Sequence, residues 1–309
     1  MTDIDILGLG ATAVDRLLYV PAYPPPNSKV NVLRSAQQCG GLTATALVAA
    51  ARLGVRCAYA GQLGDDEDSH FVAQALQNEG IDLGYALKLA QAGPIRSTII
   101  VSAADGTRTI FAAHPAACGA HPDWPPPEVI QRSRVLFVDH VGIPGMIRAA
   151  RIARQAGRPV VCDIERGEPG YETLLALVDH VVLSWDFAAA LTGAGTPEAA
   201  VARLWAAGRA LVAVTCGESG CYFSEDGRVI HHQPAFCVAV ADTTGCGDVF
   251  HGAYCVGLRR GMDADARIRF ASAAAALKAT HAGGQAGAPT LAQVISRRPA
   301  LTEPAKFLL

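Results

Sequence analysis

The feature that most constrains this chain is an alternation. Short apolar runs rich in β-branched residues, at 4–9, 57–62, 135–139, 159–163, 180–183 and 210–215, are separated by Ala- and Leu-rich segments at helical spacing, at 43–53, 69–79, 146–155, 197–207 and 264–281. Several runs are apolar almost throughout, as strands are when helices cover both faces of a sheet. Each helical segment is opened or closed by Gly, Pro, Asp or Ser, the usual punctuation of helix ends. The pattern predicts βαβ units, a mainly parallel central sheet and a three-layer α/β domain spanning 1–309.

Two stretches break the rhythm. Residues 16–37, with YVPAYPPPNSK, and residues 94–114, PIRSTIIVSAADGTRTIFAAH, read as extended segments without adjoining helices, the second a hairpin around Asp105 and Gly106. Together they predict a small β-sheet projecting from the main one as a lid. The PPP clusters at 24–26 and 125–127 read as turns, since apolar periodicity resumes after each.

Composition narrows the function. With 26 basic against 28 acidic residues, a net charge of −2 and 6% aromatics, the chain offers no basic stripe or stacking platform for nucleic acid. No run reaches the ~18 apolar residues of a membrane helix, and the opening MTDIDILGLG carries acids where a secretory signal carries Lys or Arg. Nine cysteines, an odd number scattered without any CxxC pair, predict a reducing cytoplasm with neither a disulfide framework nor a zinc site.

The chemistry concentrates in Asp242-Thr243-Thr244-Gly245-Cys246-Gly247-Asp248, between the strand-like AFCVAVA and the helix-like VFHGAYCVGLRRG. A glycine-rich turn opening a helix presents unpaired amides and the positive end of the helix dipole, a cradle for an anion. Asp248, in the first helical turn, is placed to take a proton from a hydroxyl while those amides stabilise a transferring phosphoryl group. The plain alternative is a turn whose acids cap a helix. A second candidate, Gly8-Leu9-Gly10-Ala11-Thr12-Ala13, has the G-x-G-x-x-A form of a dinucleotide cradle, but Pro21 and Pro24 to Pro26 fall where its helix and second strand should run.

DTTGCGDVFHGA resembles the DTxGAGD signature of the ribokinase-like (PfkB) carbohydrate kinases, and the resemblance extends over the chain. Gly8 and Asp15, Gly40 and Gly41 before AARLG, GQLGDDEDS at 61–69, VTCGESGCYF at 214–223 and HAGGQAGAP at 281–289 follow in the family's order. Within the family, CDIERGEPGYETLLALVDHVVLSWDFAAALTG resembles ketohexokinase, while GGLTATALVAAARLG and FASAAAALKATHAGGQAG resemble 6-deoxy-6-sulfofructose kinase.

The resemblance implies a cytoplasmic, ATP-dependent kinase that phosphorylates a hydroxyl of a furanose or ketose-like sugar with magnesium on the phosphates. It makes Asp248 the base and the amides of Gly245, Cys246 and Gly247 the anion hole. It assigns sugar contacts to Asp15, Lys29, Gly40, Gly41, Thr45 and Arg108, and nucleotide contacts to Thr215, Gly217, Gly220 and Gly247. It places a monovalent cation, potassium, at Asp242, Thr244 and the 283–287 loop, and pairs the lid with its copy in a homodimer. By residue type alone, Asp15 also fits an N-cap and Arg108 a solvated surface.

The departures are specific. Thr45 stands where many members carry Asn, and Ser184 and Phe187 replace an NxxE pair that organises magnesium. Ala112 and Val141 stand where a sulfosugar enzyme would place Asn and Arg on the sulfonate. Cys246 replaces Ala in the anion hole; the helix N-terminus would favour its thiolate, and the alternative is a small apolar filler. Two other functions stay open at this point: a sugar- or nucleotide-sensing protein without catalysis, and a nucleoside kinase of the same family.

Overall fold

The computed structural model describes residues 4–104 and 107–296. The chain opens with β1 (Ile6–Leu9), β2 (Ala13–Val20), β3 (Arg34–Gly40), α1 (Leu42–Arg52), β4 (Cys57–Tyr59) and β5 (Gln62–Leu63). It continues through α2 (Glu67–Asn78), β6 (Leu87–Lys88), β7 (Ile95–Ser102), β8 (Arg108–Ala113), α3 (Pro127–Arg132), β9 (Val135–Val138), α4 (Ile143–Gln155) and β10 (Val160–Asp163). Then follow α5 (Tyr171–Leu175), β11 (His180–Ser184), α6 (Trp185–Thr192), α7 (Pro197–Leu204), β12 (Leu211–Thr215), β13 (Cys221–Ser224) and β14 (His231–Gln233). The helices α8 (Cys246–Arg259), α9 (Ala264–Ala279) and α10 (Leu291–Ser296) complete the order.

The main sheet has eight strands in the order β14-β13-β12-β11-β10-β9-β1-β4. Its β4-to-β12 portion is parallel, and β13 and β14 add an antiparallel edge. The strands β9, β10 and β12 are apolar and buried on both faces. One face packs residues of α1, α2, α8 and α9 around Leu47, Tyr59, Phe137 and Tyr254; the other packs α3 to α7 around Met146, Leu174 and Val201. The three layers follow from the alternation in sequence.

The two irregular stretches form a separate four-stranded sheet, β3-β2-β7-β8. β2 pairs antiparallel with β3 and parallel with β7, and β7 pairs antiparallel with β8. The turn at Asp105 and Gly106 lies outside the described residues. One expectation needs correcting: this sheet does adjoin a helix, because β3 ends at Gly40 and α1 begins at Leu42. The junction is sharp because Gly41 holds a φ of 94°, and a β-carbon there would lie 2.7 Å from the Ala11 carbonyl oxygen. Ion pairs from Arg16 to Asp68 at 2.6 Å and from Arg96 to Asp66 and Asp68 fasten the small sheet to the first turn of α2.

One further reading is overturned. AFCVAVA is not a strand: after β14 the chain runs on without a ladder partner, Phe236 and Val238 half-buried while Cys237 and Val240 stay exposed. Phe236, Cys237, Val238 and Val240 line a groove instead. Residues 8–13 form no dinucleotide cradle, as the prolines beyond them indicate, since β1 is followed by β2 and not by a helix.

Candidate active site

The C-terminal ends of β1, β9, β10, β11 and β12 all open on one side of the main sheet, where parallel α/β proteins place their ligands. The N-terminus of α8 faces this edge. Gly245 caps it with a left-handed φ of 76°, no side chain takes its first amides, and a side chain at Gly247 would meet nothing within 4 Å. The Cys246 amide donates to the Thr243 carbonyl at 3.2 Å, and the next amide, that of Gly247, stays open beside the positive end of the helix dipole, as the glycine spacing predicts.

The loop before it is fixed by Asp242, whose Oδ1 accepts from the Thr244 amide at 2.8 Å and whose Oδ2 accepts from the Gly283 amide at 2.8 Å. Burial opposes ionisation of this carboxyl, but those donors and the Lys278 ammonium outweigh it and hold it below the usual carboxylate range. Asp248 lies half-buried in the first turn and accepts no hydrogen bond among the described residues. Its carboxyl is pushed well above the usual range, first by burial and then by repulsion from Asp163, Glu165, Asp139 and Asp15. A carboxylate raised by its surroundings and left without a donor has the character of a base.

From this cradle a groove of about 1040 Å³ runs to the β12–β13 turn. Thr215, Gly217 and Gly220 line its far end, Cys246 and Gly247 its near end, and Phe236, Val238, Ala275 and Ala276 form an apolar wall between. An apolar slot leading to a helix N-terminus has the chemistry a nucleotide needs, a wall for a base and amides for phosphates.

On the other side stand the expected sugar contacts. Asp15 lies within β2, opposite Gln38 and Ser97, so it is neither an N-cap nor a turn residue. Burial raises its carboxyl, and the Ser97 hydroxyl partly offsets this. Gly40 is required beside it, because a β-carbon there would collide with Asp15 Oδ2. Arg108, at the start of β8, spans from the small sheet to the cradle, where its Nη1 donates to Thr244 Oγ1 and lies 3.7 Å from Asp242 Oδ1. Thr45 is buried in α1 and accepts from Gln285 Nε2 at 3.4 Å, so it braces the 283–287 loop. Lys29 sits exposed between β2 and β3, with no hydrogen bond or ion pair to the cradle.

Several participants were not singled out from sequence. Asp139, at the end of β9, accepts from the Ala11 amide at 2.6 Å, the Val141 amide at 2.7 Å and the Thr43 hydroxyl at 2.8 Å, joining β1, β2 and α1. Asp163 and Glu165 follow β10; Asp163 Oδ2 is buried without a hydrogen-bond donor, 3.2 Å from His251 Nδ1. The Glu165 carboxyl is pushed up to about 7 by loss of water in the cleft wall and by Asp163. Acids at strand ends are visible in CDIE, but their convergence on Asp248 is tertiary. Ser184 and Phe187 have structural work instead of metal binding: Ser184 caps α6, and Phe187 is buried against Tyr171.

The Cys246 thiolate expectation is corrected as well. Burial raises this thiol, and Asp242 and Asp248 raise it further, against the smaller effects of Lys278 and Arg108. The thiol is not made a thiolate by its surroundings, and because Cys246 lines the groove it is not a filler facing the core either.

Where the resemblance puts potassium, Lys278 arrives instead. Its Nζ donates to the Asp242 carbonyl at 2.7 Å and the His281 carbonyl at 3.2 Å, and the residues here do not fit an added monovalent ion. Magnesium fits better. It needs only one or two carboxylates when phosphates supply the other oxygens, and Asp163 Oδ2 is a buried oxygen that accepts no hydrogen bond among the described residues.

A glycine-rich helix N-terminus, a raised carboxyl beside it and a long apolar groove are an arrangement that fits a phosphotransferase. Residues 3–291 match the pfkB family carbohydrate kinases, and the chain belongs to that family; it is a phosphotransferase with an alcohol group as acceptor. It is 30% identical over 302 residues to ribokinase of Staphylococcus aureus, covering 93% of this chain and 97% of the relative. It is 30% identical over 287 residues to fructokinase-1 of Oryza sativa, covering 83% and 87%. The structure of Arabidopsis thaliana ribokinase complexed with ribose and ATP superposes with a TM-score of 0.86 at 23% identity, covering 98% of this chain and 100% of that one, and shares the fold.

Proposed function

We propose that this carbohydrate kinase transfers the γ-phosphoryl group of ATP to a hydroxyl of a furanose or ketose-like sugar, with Asp248 as general base. The observation that carries the reading is the continuous groove from Gly217 and Gly220 to the amides of Cys246 and Gly247, ending beside Asp248. The sugar sits between the small sheet and the cradle, held by Asp15 and the Gly40-Gly41 turn. Asp248 takes the hydroxyl proton, the oxygen attacks the γ-phosphorus, and the bond to the bridging oxygen of the departing ADP breaks. The amides of Gly245, Cys246 and Gly247 receive the charge on the transferring group. Asp163 and Glu165, together with the phosphates of the nucleotide, would hold magnesium, which would supply charge neutralisation there.

The small sheet acts as a lid whose closure excludes water and limits futile hydrolysis. Arg108 is its latch. Arg108→Ala is expected to raise KM for sugar or ATP and lower kcat while leaving stability within ~1 kcal/mol, since an exposed ion pair contributes little; unchanged kinetics would return Arg108 to the solvated surface.

A sulfosugar finds no help at the two positions that would hold a sulfonate. Ala112 is exposed on β8 and Val141 is buried beside Ala11 and Ala13. The relatives point to ribose or fructose, and a phosphorylation screen over pentoses, ketohexoses, phosphorylated ketoses and nucleosides tests the choice. Preference for a nucleoside would overturn the sugar assignment.

We further propose a homodimer through the lid. β8 is the edge strand of the small sheet and exposes Ile110 and Phe111, each 54% accessible, on a strand that otherwise invites pairing. Light scattering of the wild type should give twice the chain mass, and Ile110→Asp with Phe111→Asp should halve it. A monomeric wild type at micromolar concentration contradicts the proposal.

A further inference from the structure

The cation that resembling enzymes take from solution is built into this chain. We infer that the Lys278 ammonium serves as a tethered monovalent cation for the anion hole, and that the kinase is therefore independent of potassium. The inference rests on the reading of the α8 N-terminus as the phosphoryl cradle.

Lys278 stands in the last turn of α9 and is 0% exposed. Lysine is almost never buried unless partnered, because an unpaired ammonium in a protein interior is costly. The partners here are all oxygens of the two loops that shape the cradle. Nζ donates to the Asp242 carbonyl at 2.7 Å and to the His281 carbonyl at 3.2 Å, with Asp242 Oδ2 4.0 Å away. Two carbonyls and a carboxylate are what a potassium ion would recruit, and an ammonium group carries the same charge with three donors of its own.

Four carbonyls of the 283–288 segment are also taken. Arg52 Nη1 donates to Gln285 at 2.8 Å, Ala286 at 3.1 Å and Ala288 at 2.8 Å, and the Gly283 carbonyl accepts from the Gly287 amide at 3.3 Å. Asp242 itself accepts from the Thr244 and Gly283 amides. A soluble ion would compete with these donors, and the place between the Asp242 and His281 carbonyls is filled by the ammonium.

The consequence reaches the reacting site through one loop. Asp242 begins the run that turns at Gly245 into the amides of Cys246 and Gly247, and Gly245 packs against Gly284. Lys278 touches neither the groove nor the reacting atoms, so it is a positioning residue. It holds the amides at the same geometry whatever the salt.

The test compares wild type with Lys278→Met and Lys278→Gln in KCl, NH₄Cl, NaCl and choline chloride at equal ionic strength, reading sugar phosphorylation and melting temperature separately. The wild type should run at one rate in all four salts, with no melting shift specific to potassium. The variants should lose about tenfold or more in kcat in choline, the usual worth of a partner that orients reacting groups from outside. They should regain most of it in KCl or NH₄Cl, and melt higher in those salts than in choline. Severalfold activation of the wild type by potassium would overturn the proposal, whether or not the variants fold. So would folded variants that neither recover activity nor gain melting temperature with potassium or ammonium. A protein that phosphorylates nothing in any salt would instead remove the kinase reading, and the melting measurements would still decide the cation.

Discussion

Asp248→Asn is expected to fold as the wild type does and to lose about 10²- to 10⁴-fold in kcat, the range associated with a positioned general base. The amide keeps the shape and the helix position but cannot accept the sugar proton. Because catalysis needs the ionised carboxylate, wild-type kcat/KM should fall as pH drops through the free-enzyme value for Asp248. Burial and the charges of Asp163, Glu165, Asp139 and Asp15 place that value well above the usual carboxylate range. Glu165→Gln removes one of those charges and should move the acidic limb to lower pH. Near wild-type turnover in Asp248→Asn would make the residue a helix-end carboxylate without a catalytic role.

The second large effect is on stability. Asp139→Ala leaves the Ala11 and Val141 amides and the Thr43 hydroxyl without an acceptor in the buried junction of β1, β2 and α1. Each stranded donor costs about 1–3 kcal/mol, so the loss should reach several kcal/mol in all and lower Tm by roughly 10 °C on the usual scaling of stability with chain size. Burial pushes this carboxyl up to about 7, and the same three donors work against that shift. Asp139→Asn keeps one carbonyl acceptor and should cost less than the alanine change. Because the junction also carries the start of β2, the surviving enzyme should show a raised KM for sugar through displaced Asp15. An unchanged melting curve for Asp139→Ala would show that water replaces the carboxylate at no cost.

What was legible in the sequence was local. Fully apolar runs and Ala-rich helices gave the parallel sheet with small errors at the ends, because both faces of those strands are buried. The glycine spacing around Gly245 marked an α8 N-terminus whose backbone is open, since no other residue tolerates its φ of 76° as readily. AFCVAVA misled because an apolar, β-prone run does not report whether a neighbouring strand supplies a ladder. Charged residues were the least legible. Lys278 lies in a helix of ordinary helix formers, and Asp139 follows a strand like any turn residue. Their partners are 36 and 128 residues away, so their roles exist only in the folded chain. Arg108 was assigned to the sugar, and its contact with Thr244 shows a route from the small sheet to the cradle.

The account is tested most directly by following the label from [γ-³²P]ATP with the purified protein and the best sugar from the screen, beside Asp248→Asn at the same concentration. The wild type should move the label onto the sugar, one phosphoryl group per molecule and little onto water, while the variant should transfer it at least about 100-fold more slowly. Label that stays on ATP with every sugar, passes only to water, or reaches the sugar equally fast in both proteins would contradict it.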